Sequence, residues 1–134
     1  MDKKLVFIIE GEPISAKSIK KGPHMWSETI QRQHNFEMNL ANQLEKQTNS
    51  ENKITDNIEL TLQFFLAPKP LRRLDNVYLT PHTDLPKLIE LQKFVEFTLM
   101  RNILSKDARI TKVTAEKYFD NHQRTIIKMT TKGE

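Results

Sequence analysis

An α+β fold in the order β-α-β-α-β-β, with a mostly antiparallel sheet and two helices, follows from three features of the sequence. Apolar residues alternate strictly through Ile58-Glu59-Leu60-Thr61-Leu62-Gln63-Phe64, the period of a strand with one buried face. Two stretches, Glu28 to about Gln47 with no proline or glycine inside it, and the residues after Pro86 to about Ile103, repeat apolar residues at helical spacing. The C-terminal third is β-rich on both sides of a turn signal, Asp120-Asn121-His122.

The elements justify themselves in chain order. Lys4 to Glu10 is a short β-branched and aromatic run closed by Gly11 and Pro13, which predicts a largely buried strand. Ser15 to Pro23 is a basic loop carrying Lys17, Lys20 and Lys21. Ser27 is a suitable N-cap for the first helix, whose apolar face is Ile30, Phe36, Leu40, Ala41 and Leu44. Thr48 to Asn57 is polar and reads as a loop before the Ile58–Phe64 strand, with Ile58, Leu60, Leu62 and Phe64 facing the core. Ala67 to Thr83 holds three prolines with Lys69, Arg72 and Arg73, a second basic connection. The second helix presents Leu88, Leu91, Val95, Thr98 and Leu99 as one apolar stripe, widened by Phe94 and Phe97. Ala108 to Phe119 predicts a strand with a bulge between Ile110 and Val113, and Arg124 to Thr131 is expected to return as the other arm of a hairpin.

Composition narrows the classes of function. The 134 residues suit one domain, 1-134. Nothing in the chain is apolar for long enough to span a membrane. Met1-Asp2-Lys3-Lys4 precedes only the short run Leu5 to Ile9, with no cleavage site after it, so no signal peptide is expected. Zero cysteines exclude disulfides and thiolate metal sites and fit a reducing, cytoplasmic compartment. A net charge of +4 is mild, and it favours a nucleic-acid partner only where the cations gather on one face. His24 and His34 lack metal-ligand spacing and read as polar surface residues.

The stretch from Pro86 to Asp107 carries the candidate chemistry. Lys87, Glu90, Lys93 and Glu96 recur every three residues, the pattern of a solvated helix face with ion pairs. Hydrolysis of a phosphodiester with magnesium needs several carboxylates converging on a hard cation, with a lysine beside them to offset developing charge. Asp75, Asp84, Glu90, Glu96 and Asp107 are the acids on offer.

Pro86-Lys87-Leu88-Ile89-Glu90-Leu91-Gln92-Lys93-Phe94-Val95-Glu96-Phe97-Thr98-Leu99 resembles, without a gap, the motif P-D-x-D-N-L-x-K-x-x-x-D-A-L of the RusA-type Holliday junction resolvases. Pro86, Leu91, Lys93 and Leu99 match it. Lys106-Asp107-Ala108-Arg109-Ile110 is similar to the following D-D-x-Q-I at Asp107 and Ile110, and Lys117-Tyr118 falls where the family has a later lysine. Gly11-Glu12-Pro13 with its basic sequel, and His82-Thr83 before the motif, resemble the family's start and lead-in.

The resemblance implies the β-α-β-α-β-β fold, a homodimer, branched DNA as partner, and magnesium-dependent cutting of four-way junctions in recombination and repair. It makes Lys93 and Asp107 the catalytic candidates and Lys17, Lys20, Lys21, Lys69, Arg72, Arg73 and Lys117 the DNA contacts. The family's lead-in aspartates fall on Lys87 and Ile89, its asparagine on Glu90 and its helix aspartate on Phe97. Asp107, Asp84 and Glu90, with His82 as a further candidate, are the alternative Mg2+ ligands if the lead-in shifts register. Lys87 could instead put its own charge where the metal would be, with Ile89 on a dry, packed face. The expectation is therefore a RusA-like DNA-binding chain with weakened or lost cleavage. The alternative is an inactive scaffold or regulatory subunit that binds protein partners.

Overall fold

The computed structural model describes residues 3–15, 28–48, 53–67 and 87–132. Lys17, Lys20, Lys21, Lys69, Arg72, Arg73, His82 and Asp84 lie outside them. Six elements follow in the order β1 (Lys3–Glu10), α1 (Glu28–Thr48), β2 (Asn57–Leu66), α2 (Leu88–Asn102), β3 (Ile110–Phe119) and β4 (Arg124–Lys132). The architecture is α+β, as the periodicities predict. None of the described helices is long and apolar enough to cross a membrane.

The four strands form one mixed sheet in the order β1-β4-β2-β3. β4 is antiparallel to both β1 and β2, while β3 runs parallel to β2. Parallel neighbours need a crossover, and α2 supplies it between β2 and β3. The expected bulge is present: Ile58 pairs with Ile110 but Glu59 with Lys112, so Thr111 is the extra residue.

The expected β3–β4 hairpin is not formed, because β2 lies between the two strands. β2 buries Ile58, Leu60, Leu62, Phe64, Phe65 and Leu66, which suits a strand with neighbours on both sides. β3 is half-exposed along most of its length, as an edge strand is. Asp120 to Gln123 therefore arches over the end of β2. The crossing spans two strand spacings, about 9.6 Å, within reach of four extended residues. The arch is tied down on both sides. The Asp120 N–H donates to the Leu66 carbonyl at 3.0 Å, the Ala67 N–H to Gln123 Oε1 at 3.1 Å, and the Gly11 N–H to the Gln123 carbonyl at 3.0 Å. Gly11 has φ +106°, a conformation that suits glycine, and it ends β1 there.

One side of the sheet makes the core. Leu5, Phe7, Ile9, Leu60, Leu62, Phe64, Ile127 and Met129 meet Phe36, Leu40 and Leu44 of α1 and Leu91, Phe94, Val95 and Leu99 of α2. Phe36 and Phe94 touch edge to face with centroids 5.2 Å apart, worth roughly 0.5–1.5 kcal/mol beyond their burial. Ala41 is exposed and Ile30 half-buried, so the buried face of α1 is narrower than its spacing suggests. Phe97 also departs from expectation. It does not widen the apolar side of α2 but is 52% exposed, because it lies beyond the arc that the sheet covers.

The outer edge of β1 is closed by side chains. Gln47 accepts from the Val6 N–H at 2.9 Å and donates to its carbonyl at 2.7 Å, and Gln43 does the same for Ile8 at 2.9 and 2.8 Å. The match is geometric: residues four apart on a helix and two apart on a strand are both separated by about 6 Å along their axes. The amides thus take the place of a neighbouring strand.

At the other end of the sheet Arg124 organises the arch. Its Nη1 donates to Asp120 Oδ2 at 2.9 Å and to the His122 carbonyl at 2.6 Å, and its guanidinium lies 3.8 Å from the centre of the Phe65 ring. Phe65 stacks on Tyr118, with centroids 5.5 Å apart. The Arg124 hydrogen bond, then the His122 N–H, hold the Asp120 carboxyl below its ordinary value near 3.8.

Two outcomes follow. Replacing Gln43 and Gln47 by alanine removes four exposed hydrogen bonds, so stability falls by roughly 1–3 kcal/mol and the Val6 and Ile8 amides exchange faster by NMR. Unchanged exchange at those two amides would mean the glutamines do not seal the edge in solution. The depressed Asp120 contributes stability that is present above about pH 4 and is lost as pH falls through its lowered folded value. Asp120→Asn lacks that component, so its Tm falls less than the parent's between about pH 5 and pH 2 in thermal melts.

Candidate functional site

α2 begins at Lys87, whose backbone is extended (φ −68°, ψ 147°) and whose side chain makes no capping hydrogen bond. Leu91, Phe94, Val95, Thr98 and Leu99 are buried, and Thr98 satisfies its hydroxyl on the Phe94 carbonyl at 2.8 Å. The stripe predicted from spacing is therefore the packed face, with Leu88 at its half-buried margin. The opposite face carries Ile89, Lys93, Phe97 and Met100, all exposed.

This exposure overturns one reading of the motif and agrees with another. Ile89 does not sit on a dry, packed face; it is 46% exposed on the side of the helix away from the sheet. Lys93 shares that side, so the helix lysine also points away from the core. Glu90, in the first turn, is half-buried and stands where a carboxylate favours the helix dipole.

The far end of α2 is anchored by a short bridge. The Ile54 N–H donates to the Ile103 carbonyl and the Ser105 N–H to the Ile54 carbonyl, each at 2.8 Å. Ile103, Leu104 and Ala108 are buried around this bridge. Between them the chain turns tightly: the Asp107 N–H reaches Ser105 Oγ at 3.3 Å, and the Ala108 N–H the Ser105 carbonyl at 3.1 Å. Arg109 braces the turn with Nη1 on the carbonyls of Lys106 at 2.6 Å and Ala108 at 3.0 Å. Asp107 is exposed, and its neighbours in the chain, Lys106 and Arg109, are cationic.

The sequence candidates are therefore spread out. Glu90 lies in the first turn of α2, and Asp107 in the turn beyond its last. The helix between Glu90 and Asn102 spans about 18 Å, far beyond the reach of two side chains to one cation. Lys117 pairs with Phe64 and lies on the helix-covered side of the sheet, whereas Lys93 faces away from it. Among the described residues no three histidines, aspartates or glutamates gather as a metal site. Glu90 and Asp107 therefore do not converge on one magnesium ion, and Asp84 lies outside the described residues.

Other polar groups come together where the motif did not point. His122 Nε2 is hydrogen-bonded to Glu10, joining the arch to the end of β1. The Tyr118 hydroxyl donates to Glu116, which raises the phenol's pKa above its ordinary value. A crevice of about 130 Å³ between β1 and α1 is lined by Glu10, Glu12, Arg32, Asn35 and Asn39. It is small beside the roughly 300–1,000 Å³ of organic-ligand sites.

The side of the sheet opposite the helices carries a further set that sequence reasoning missed. Strand pairing sets Lys4, Thr130, Glu59 and Lys112 in one row across all four strands, and Val6, Lys128, Thr61 and Thr114 in the next. Alternation within each strand signals that these residues share a side, but their order across the sheet needs the topology.

Searches for related proteins add no identification: no family model matches the chain, and no curated protein matches it.

Proposed function

We propose that this chain is a RusA-like DNA-binding protein that recognises branched DNA as a homodimer, inside the cell in recombination and repair, without efficient cleavage. The observation that supports this most is the coincidence of the motif with α2. From Leu88 onward the ungapped stretch forms one helix with Leu91 and Leu99 packed inward and Lys93 outward, inside a β-α-β-α-β-β frame. The same helix argues against magnesium chemistry, since Ile89 and Phe97 stand at acidic positions of the motif and Glu90 and Asp107 lie at opposite ends.

The scaffold reading has an observation of its own. Ile89, Phe97 and Met100 form an exposed apolar ridge on α2, interrupted by Lys93 between Ile89 and Phe97, with exposures of 46, 52 and 63%. A ridge of that kind suits a protein partner or a second copy.

A labelled four-way junction titrated with protein, then with magnesium or manganese, separates these readings. The expected outcome is binding that weakens as salt rises, no specific cutting at any metal concentration, and the same behaviour in Asp107→Asn. Cutting that Asp107→Asn abolishes would overturn the inactive assignment. Failure to bind any DNA at low salt would sink the DNA reading and leave the scaffold.

A further inference from the structure

The structure leaves one side of the sheet without a described helix over it, and its charges are sorted. Toward the ends where β1, β2 and β3 begin, the exposed residues are Lys4, Lys112, Lys128 and Lys132, with Glu59 as the acid among them, 3.7 Å from Lys132. The threonines Thr61, Thr114 and Thr130 fill the positions between. The acids Glu10 and Glu116 lie toward the other end, where Arg124 is engaged with Asp120.

We propose that this lysine-bearing face is where a DNA duplex lies, its phosphates on Lys4, Lys112, Lys128 and Lys132. The inference rests on the DNA-binding reading above and adds a second surface to the basic loops. Lys4 and Lys112 stand three strand spacings apart, about 14 Å, and Lys128 and Lys132 four residues apart, about 13 Å. Both separations are close to the roughly 12 Å width of the major groove, whose rims are phosphate ridges. These two separations exceed the Debye length of about 8 Å in physiological salt, while Lys4 is a diagonal neighbour of Lys128 and Lys132 at roughly 7–8 Å, and each lysine can release a counterion when bound.

Charge and shape select a duplex over a single strand. Single strands are held by bases stacked on exposed rings. Here Phe65 is 6% exposed, covered by Tyr118 and Arg124; Tyr118 is half-exposed but lies at the acidic end with its hydroxyl on Glu116, and the middle of the face carries Val6, Ile8 and Ile126. The hydroxyls and ammonium groups instead suit phosphate oxygens, contacts that position a backbone without reading its sequence.

Fluorescence anisotropy with a labelled duplex and a matched four-way junction, between about 50 and 200 mM salt, tests this. The pair Lys112→Gln and Lys128→Gln is expected to lower the salt slope by about 0.9 per lysine, an affinity loss of about eightfold each at 0.1 M salt. Glu59→Gln is expected to tighten binding, a change that a merely structural role for the face would not produce. If the parent binds but these variants match it in affinity and slope, the inference falls and the DNA reading stands. If the parent binds single strands in preference, this face is not a duplex site. If the parent binds no DNA at about 50 mM salt, both fall. Parent-like thermal melts establish that the lysine variants are folded, and should they melt early, Glu59→Gln alone decides.

Discussion

The Asn57–Leu66 strand pairs along its length on both sides, antiparallel to β4 and parallel to β3, and that double pairing dictates most of the molecule. A parallel partner forces a helical crossover, so α2 must lie over the sheet and bury one stripe on it. An antiparallel partner arriving from β3 forces the chain over the end of β2, so residues Asp120 to Gln123 become an arch pinned by Leu66, Ala67 and Gly11. β1 is left to complete the sheet beyond β4. The apolar content of β2 makes it suitable for the centre: six of its ten residues are buried.

The same constraint determines what α2 can do. With Leu91, Phe94, Val95, Thr98 and Leu99 turned to the sheet, the residues between them face outward whatever their chemistry. Lys93, Ile89, Phe97 and Met100 thereby share one exposed side, and Glu90 and Asp107 are held apart by the helix itself. For Glu90 and Asp107 to share one cation the helix ends would have to meet, and the crossover keeps them at opposite ends of the sheet.

Periodicity carried much of the fold. The alternation from Ile58 to Phe64 and the helical stripe from Leu88 to Leu99 are both realised, because each records a buried face along a single element. The bulge at Thr111 was also legible, since Ile110 and Val113 break the strand period. The hairpin was not. Asp120-Asn121-His122 marks a change of direction in either topology, and no local pattern says which strand lies across the turn. Phe97 misled for a related reason: hydrophobicity says what a side chain prefers, while the width of the covering sheet decides what it receives. The charge segregation on the open face was hidden similarly, since Lys4, Lys112 and Lys128 are far apart in the chain and meet only through the pairing of β1, β4, β2 and β3.

Sealing β1 with Gln43 and Gln47 makes the two margins of the sheet unequal. Fibre-like stacking of sheets edge to edge needs each molecule to offer two joining edges, one for the copy before and one for the copy after. With one margin occupied by side-chain amides, strand addition is restricted to β3. Two copies joined there about a two-fold axis would consume both available edges, so assembly by strand pairing ends at a finite pair instead of propagating into a filament.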